Sequence, residues 1–201
     1  MDINNGSNVA DEKGVSPGNE LPGAGNSSKL LSEIYDWIQC LVSALLICVL
    51  VFVFFVRMID VVGHSMEPTL NDSDKVIISD LFYTPKSGDI VVLRLESFRK
   101  EPIVKRIIAT EGQTVDIDFE NGIVYVDGQA LEEDYTAEAT FTRLDFYGPV
   151  TVPEGKVFVM GDNRNNSTDS RDDRIGFIDE RYIMGKVYWI VFPLKKFGSV
   201  Y

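Results

Sequence analysis

Thr114–Val126 reads TVDIDFENGIVYV. This stretch decides the fold class. Val115 and Ile117 alternate with Asp116 and Asp118, the period of two that gives a strand one apolar and one polar face. Asn121-Gly122 then matches the type I′ turn preference, so the spacing predicts a hairpin joining Thr114–Phe119 to Ile123–Val126. Asp127-Gly128 offers a further turn. Working outward, Lys75–Ser79 (KVIIS), Asp89–Leu95 (DIVVLRL), Ile103–Ile108 (IVKRII), Lys156–Met160 (KVFVM) and Lys186–Phe192 (KVYWIVF) are β-branched and partly alternating. No segment beyond Arg57 sustains a helical period, and there is no internal repeat. Closely spaced short strands predict a mostly β fold, with an antiparallel core built as an open barrel or sandwich.

Upstream the pattern differs. Trp37–Val56 (WIQCLVSALLICVLVFVFFV) runs for twenty residues without a charge. At ~1.5 Å per residue such a helix crosses a ~30 Å hydrocarbon core. Tyr35 and Trp37 are suited to an interface. A buried core helix seldom stays apolar on every face for this length, so residues 34–59 read as one N-terminal transmembrane anchor. The run is too long for a cleaved signal, and no small-x-small site follows it closely. Residues 1–33 are rich in Gly, Asn, Ser and Pro with few large aliphatics, and are expected to be disordered. Residues 60–201 are expected to form the folded domain.

The chain carries a formal net charge of −12. An acidic chain lacks the basic face that nucleic-acid binding needs, and no polybasic segment attracts anionic lipid. Cys40 and Cys48, the two cysteines, both lie in the apolar run. An internal disulfide or a cysteine metal site is therefore excluded from the rest of the chain. Arg57 and Lys29 flank the run on opposite sides, so charge asymmetry does not orient it. Nothing in the sequence sets the oligomeric state.

Three segments carry chemistry. In Gly63-His64-Ser65-Met66-Glu67-Pro68-Thr69-Leu70 the glycine permits close backbone approach and the proline stiffens the bend. Ser65 is either an ordinary turn residue or a nucleophile. His64 is the one histidine in the chain. Adjacent side chains on an extended segment point to opposite faces, so His64 is expected at the surface or along a groove rather than as the base for Ser65. A serine without a histidine can use a neutral lysine. That requires lowering a pKa of ~10.4 by roughly 2–3 units, which apolar burial can supply. Lys105 sits inside Ile103–Ile108 among apolar neighbours. It is either the solvent-facing position of that strand or a buried base. Gly161–Arg171 (GDNRNNSTDSR) is dense in turn-forming side chains. It reads either as an exposed polar loop or as a lock on the site through Asp–Arg pairs. Its acidic spacing does not match a calcium loop.

Taken together, these segments are similar to type I signal peptidases, membrane-bound Ser/Lys endopeptidases. The chain most resembles the short forms of Gram-positive type. The resemblance covers roughly residues 34–192 through the anchor helix, Ser65–Thr69, Gly88–Val92, Val104–Ile108, and Gly161–Arg171 with Gly176. It implies Ser65 as nucleophile, Lys105 as general base, and the Ser65 N–H as an oxyanion donor. It implies a hydrogen bond from Ser167 to the Lys105 amine, and ion pairs among Arg106, Asp162, Asp169 and Arg171. Gly63 stands where some relatives carry a hydroxyl donor. The inserted domain of larger relatives is expected to shrink to the hairpin around Asn121-Gly122. The resemblance implies cleavage of signal-peptide-bearing preproteins after small residues, with no metal or cofactor. It also implies a single-pass anchor in membrane lipid, with residues 1–36 cytoplasmic and the catalytic domain outside. The rival readings are a self-cleaving repressor-type protease and a catalytically inactive membrane-tethered β module that binds exported peptides.

Overall fold

A computed structural model of the chain describes residues 24–96 and 98–200. One α-helix, α1 (Ala24–Phe55), leads the chain. Every residue from Lys29 to Val51 is exposed. Among the described residues α1 is the one helix long and apolar enough to cross a bilayer. It begins ten residues before the expected boundary at 34, so residues 24–33 are helical rather than tail. The rest of the expected tail lies outside the described residues.

Twelve strands follow among the described residues. They are β1 (Arg57–Asp60), β2 (Lys75–Ser79), β3 (Ile90–Leu93), β4 (Ile103–Thr110), β5 (Thr114–Asp118), β6 (Ile123–Val126), β7 (Gln129–Ala130), β8 (Val150–Thr151), β9 (Lys156–Met160), β10 (Ile178–Asp179), β11 (Ile183–Phe192) and β12 (Gly198–Ser199). The main sheet has the order β1-β2-β11-β3-β4-β9-β10, with β12 beside β11. A smaller sheet runs β7-β6-β5-β8. Every ladder is antiparallel. The fold is therefore the mostly β, antiparallel architecture expected.

Three details differ from expectation. Residues 57–59 leave the anchor and join β1, where Arg57 pairs with Ile78 and Asp60 with Lys75. Four residues are too few to show a period. The hairpin at Asn121-Gly122 closes through residues 119–122, because Asp118 pairs with Ile123. The Asp118 carboxylate accepts from the N–H groups of Glu120 and Asn121 and from Asn121 Nδ2, which favours this longer loop. The type I′ geometry instead belongs to Asp127-Gly128, where both φ values are positive (51° and 76°) and Val126 pairs with Gln129. Finally, the hairpin is the centre of a four-stranded sheet rather than an isolated ribbon. The outer strands β7 and β8, two residues each, are too short to leave a sequence signal.

The core follows the pleat. All four residues of β3 are buried. Ile90 and Val92 join Val61, Met66, Leu70, Val76, Ile78, Val104, Val187 and Ile190. Val91 and Leu93 join Ile103, Ile107, Val157, Val159 and Ile178. A strand covered on both faces reads as a continuous apolar run, as IVVL does. A third cluster, with Val115, Ile117, Val124, Phe146 and Phe158 among its members, joins the smaller sheet to β4 and β9. The register shift between Ile107 and Ala109 re-aims the end of β4 toward that cluster.

Candidate active site

Ser65 lies in a tight turn closed by the Glu67 N–H donating to the His64 carbonyl at 3.2 Å. Met66 and Leu70, both buried, pin the turn into the core. Gly63 has φ +94°, a conformation side chains rarely adopt, and its N–H donates to Asp72 Oδ1 at 2.8 Å. From the opposite side Asn163 holds the turn twice: its N–H donates to the Ser65 carbonyl and its Nδ2 to the His64 carbonyl, each at 3.0 Å. The serine is thus held by backbone contacts on both flanks.

Lys105 is the third residue of β4 and only 4% exposed. Its Nζ lies 2.7 Å from Ser65 Oγ and 3.1 Å from the Val104 carbonyl. Burial is the main cause that lowers its pKa to about 8, with the nearby Arg171 and Arg99 charges helping and Asp169 and Asp162 opposing. Ser65 and Lys105 share a cleft of about 330 Å³ with Val62, Phe98, Ile103 and Val104 among its lining residues.

Arg106, the next residue, is equally buried but differently partnered. It forms a two-pronged pair with Asp162, Nε to Oδ1 at 2.8 Å and Nη2 to Oδ2 at 2.7 Å, and stacks 3.9 Å over the Tyr135 ring. Asp169 pairs with Arg171 in the same way, at 2.8 and 2.9 Å, and also accepts the Gly161 N–H. Of the eleven residues from Gly161 to Arg171 only Asn166 is exposed, and Asp162, Arg164, Asp169 and Arg171 are fully enclosed. The segment is a packed lock rather than an exposed loop.

Ser167 differs from expectation. Its Oγ is buried and makes no hydrogen bond. The Lys105 amine is taken by Ser65 and the Val104 carbonyl, while Ser167 packs directly against Gly161. A Cβ on Gly161 would collide with the Ser167 side chain and the Ser65 carbonyl, so glycine is required for these segments to meet. His64 is 62% exposed, with Nδ1 2.9 Å from Glu67 Oε1, which raises its pKa. The segment around it is a turn, so the turn and not strand alternation is what separates His64 from Ser65 and Lys105.

Sequence reasoning missed Arg164, whose buried guanidinium pairs with Glu133 at 2.6 Å and donates to the Gly161 carbonyl. It also missed Tyr135, Phe98 and Arg99. Arg164 stood inside a motif already singled out; the others lie in segments without a pattern.

A family model described as "Signal peptidase, peptidase S26" matches residues 34–192. A probable signal peptidase I-1 of Synechocystis is 37% identical over 177 residues, covering 83% of this chain and 87% of that protein. The chain belongs to the signal peptidase family, peptidase S26. A signal peptidase I of Bacillus amyloliquefaciens is 37% identical over 181 residues, covering 82% and 91% of the two chains. A solved signal peptidase I from Enterococcus faecalis is 30% identical with a TM-score of 0.44, covering 52% of this chain and 97% of that one. Membership in the family makes the chain a peptidase, and its N-terminal apolar helix is consistent with a membrane anchor.

Proposed function

We propose that this chain is a membrane-bound endopeptidase that removes signal peptides from exported preproteins, with Ser65 as nucleophile and Lys105 as general base. The observation that carries this reading is the Ser65 Oγ to Lys105 Nζ distance of 2.7 Å at an amine whose pKa burial lowers to about 8. An ordinary lysine is almost wholly charged at neutral pH and accepts no proton. One near 8 is neutral in about one molecule in ten at pH 7 and in about half at pH 8, and that neutral amine can take the serine proton as Oγ attacks the scissile carbonyl. The same amine then protonates the leaving nitrogen, and water hydrolyses the acyl-enzyme.

The N–H of Ser65 has no acceptor among the described residues, so it is available to the oxyanion. Gly63 brings no side-chain donor, and its N–H is engaged by Asp72. Ser167 Oγ, buried beside the turn, is the hydroxyl available to hold the amine once Ser65 turns toward substrate. Arg106–Asp162 and Asp169–Arg171 act through position, fixing the 161–171 segment against the Ser65 turn. Cleavage after small residues follows from the family's Ala-x-Ala preference, which a shallow apolar cleft suits. Residues 60–201 form the catalytic domain outside the membrane, α1 is the single-pass anchor, and the chain's N-terminus is cytoplasmic.

The test is incubation of the full chain in detergent with a preprotein, comparing wild type with Ser65→Ala. The expected result is signal-peptide release by wild type alone. Equal processing by both would overturn the serine mechanism, and processing by neither would favour a peptide-binding module.

A further inference from the structure

A cavity of about 500 Å³ lies apart from the cleft that holds Ser65. It is lined by Arg57, Asp80, Arg94, Glu96, Arg181 and Tyr182, with Leu95, Ile183 and Met184 as its apolar wall. Its place follows from topology. Arg57 begins β1, Asp80 follows β2, Ile183 begins β11 and Arg94 follows β3. These ends coincide because neighbouring strands run antiparallel. They mark the end of the sheet at which the chain arrives from α1. Phe55, the last residue of α1, is two residues before Arg57, and two residues span at most about 7 Å.

The charges in this cavity are unusual for the molecule. The chain has 9 arginines against 31 acidic residues. Arg99, Arg106, Arg164, Arg171, Arg174 and Arg181 are each paired with a carboxylate. Arg143 stacks on the Phe119 ring. Arg57 and Arg94 alone have neither partner among the described residues, and both line this one cavity. Asp80 and Glu96 line it too, yet neither comes within ion-pair distance of either arginine. The cavity therefore holds cations and carboxylates apart from one another. On its wall Tyr182 is 52% exposed, beside the apolar Leu95, Ile183 and Met184.

A ligand that satisfies all of this is amphipathic, with an anionic phosphate for Arg57 and Arg94, hydroxyl or amine donors for Asp80 and Glu96, and an apolar portion for the wall of Leu95, Ile183 and Met184. We propose that the cavity binds the headgroup of a glycerophospholipid from the leaflet into which the end of α1 runs. Arginine's forked donors match phosphate oxygens. The volume falls within the roughly 300–1,000 Å³ of small-ligand sites. The inference rests on the reading of α1 as a membrane anchor. It adds that the folded domain grips one lipid at a defined site. The segment after β3 lines both cavities, Leu95 and Glu96 here and Phe98 and Arg99 in the cleft, so an occupied headgroup site abuts the wall of the catalytic cleft.

The test uses the full chain in a neutral detergent, titrated with phosphatidylglycerol in mixed micelles. Retained lipid is counted by native mass spectrometry and the unfolding temperature is followed. Arg57→Gln/Arg94→Gln is compared with Arg143→Gln, which removes an arginine far from the cavity residues in sequence and contact. With about fivefold in affinity per arginine near an anionic surface, the double variant is expected to need about 30-fold more lipid for half-maximal stabilisation. Arg143→Gln is expected to titrate as wild type. Identical titration of wild type and double variant would overturn the proposal, as would an equal loss in Arg143→Gln. Should the double variant unfold early in lipid-free detergent, Arg94→Gln alone is expected to shift the titration about fivefold, and no shift overturns the proposal. Soluble glycerol phosphate at matched concentration is expected to leave the unfolding temperature unchanged; an equal rise would assign the site to a soluble phosphate and overturn the lipid reading. Carbonate washing of membranes tests the anchor separately. Release of the wild-type chain defeats the anchor reading, whereas retention with no lipid selectivity defeats this proposal alone.

Discussion

Lys105 and Arg106 are adjacent on one strand, both buried, and electrostatically opposite. Arg106 keeps its charge because Asp162 grips it with two hydrogen bonds and Tyr135 lies flat beneath it. Lys105 has a serine hydroxyl and a backbone carbonyl but no carboxylate in contact, and its pKa falls to about 8. Strand alternation sends the two side chains to opposite faces, one toward the ionic lock and the other toward the cleft. The contrast teaches that burial does not decide what a cation does. A buried cation with a carboxylate is structure; one without is a titratable group near neutral pH.

The largest expected effect breaks the contrast by making residue 105 permanently charged. Lys105→Arg should lower preprotein cleavage by about 10⁴-fold or more while the chain stays folded, because a guanidinium does not surrender its proton at working pH. Cleavage assays paired with circular dichroism check this, and retained activity would remove the lysine-base mechanism. The mirror experiment strips the partner from Arg106. Asp162→Ala leaves a buried guanidinium unpaired, which costs about 3–5 kcal/mol, read as a lower midpoint in denaturant.

Lys105→Met sharpens the comparison by removing the charge that burial disfavours. The folded pKa is about 8 against 10.5 unfolded, so wild type bears the full cost of a buried ammonium below pH 8. That cost fades as pH rises toward 10.5, because there the unfolded state binds the extra proton. Lys105→Met should therefore be more stable than wild type by about 3 kcal/mol at pH 7, with the gap closing between pH 8 and 10.5. A gap that is flat in pH would mean the amine is not desolvated as described. In wild type, kcat/KM should rise with pH up to an apparent pKa near 8.

Gly161→Ala tests how closely the lock meets the Ser65 turn. Its new methyl runs into Ser167 and the Ser65 carbonyl, which should cost about 1–3 kcal/mol and lower kcat through displacement of Ser65. Normal kcat in a destabilised variant would show that the turn absorbs the shift. The smallest effect belongs to His64→Ala. His64 is exposed and bonded to Glu67 rather than to Ser65 or Lys105, so cleavage should change by less than about twofold. A folded, inactive variant would reopen the identity of the base.

Much of the molecule was legible without coordinates, for local reasons. Twenty uncharged residues in a row specify an apolar helix wherever they sit. KVIIS, IVYV and KVFVM match β2, β6 and β9 residue for residue, because alternation and β-branching act within a strand. Two-residue strands and β1 left no signal. Their existence depends on a partner strand that sequence order does not reveal. The choice between the two glycine turns was local but lay outside the Asn-Gly pair, since Asp118 set the loop length.

By itself, then, the sequence determined the apolar helix, the strand inventory and which residue types chemistry could use. Only the tertiary structure decided that Lys105 faces Ser65 forty positions earlier, that Arg106 meets Asp162 fifty-six positions later, and that Arg57 and Arg94 share a cavity with acids held apart from them. The physical reason is that strand propensity and apolar runs arise from neighbours along the chain. Desolvation, ion pairing and a lowered pKa arise from neighbours in space, and those exist only once the sheet has closed over them.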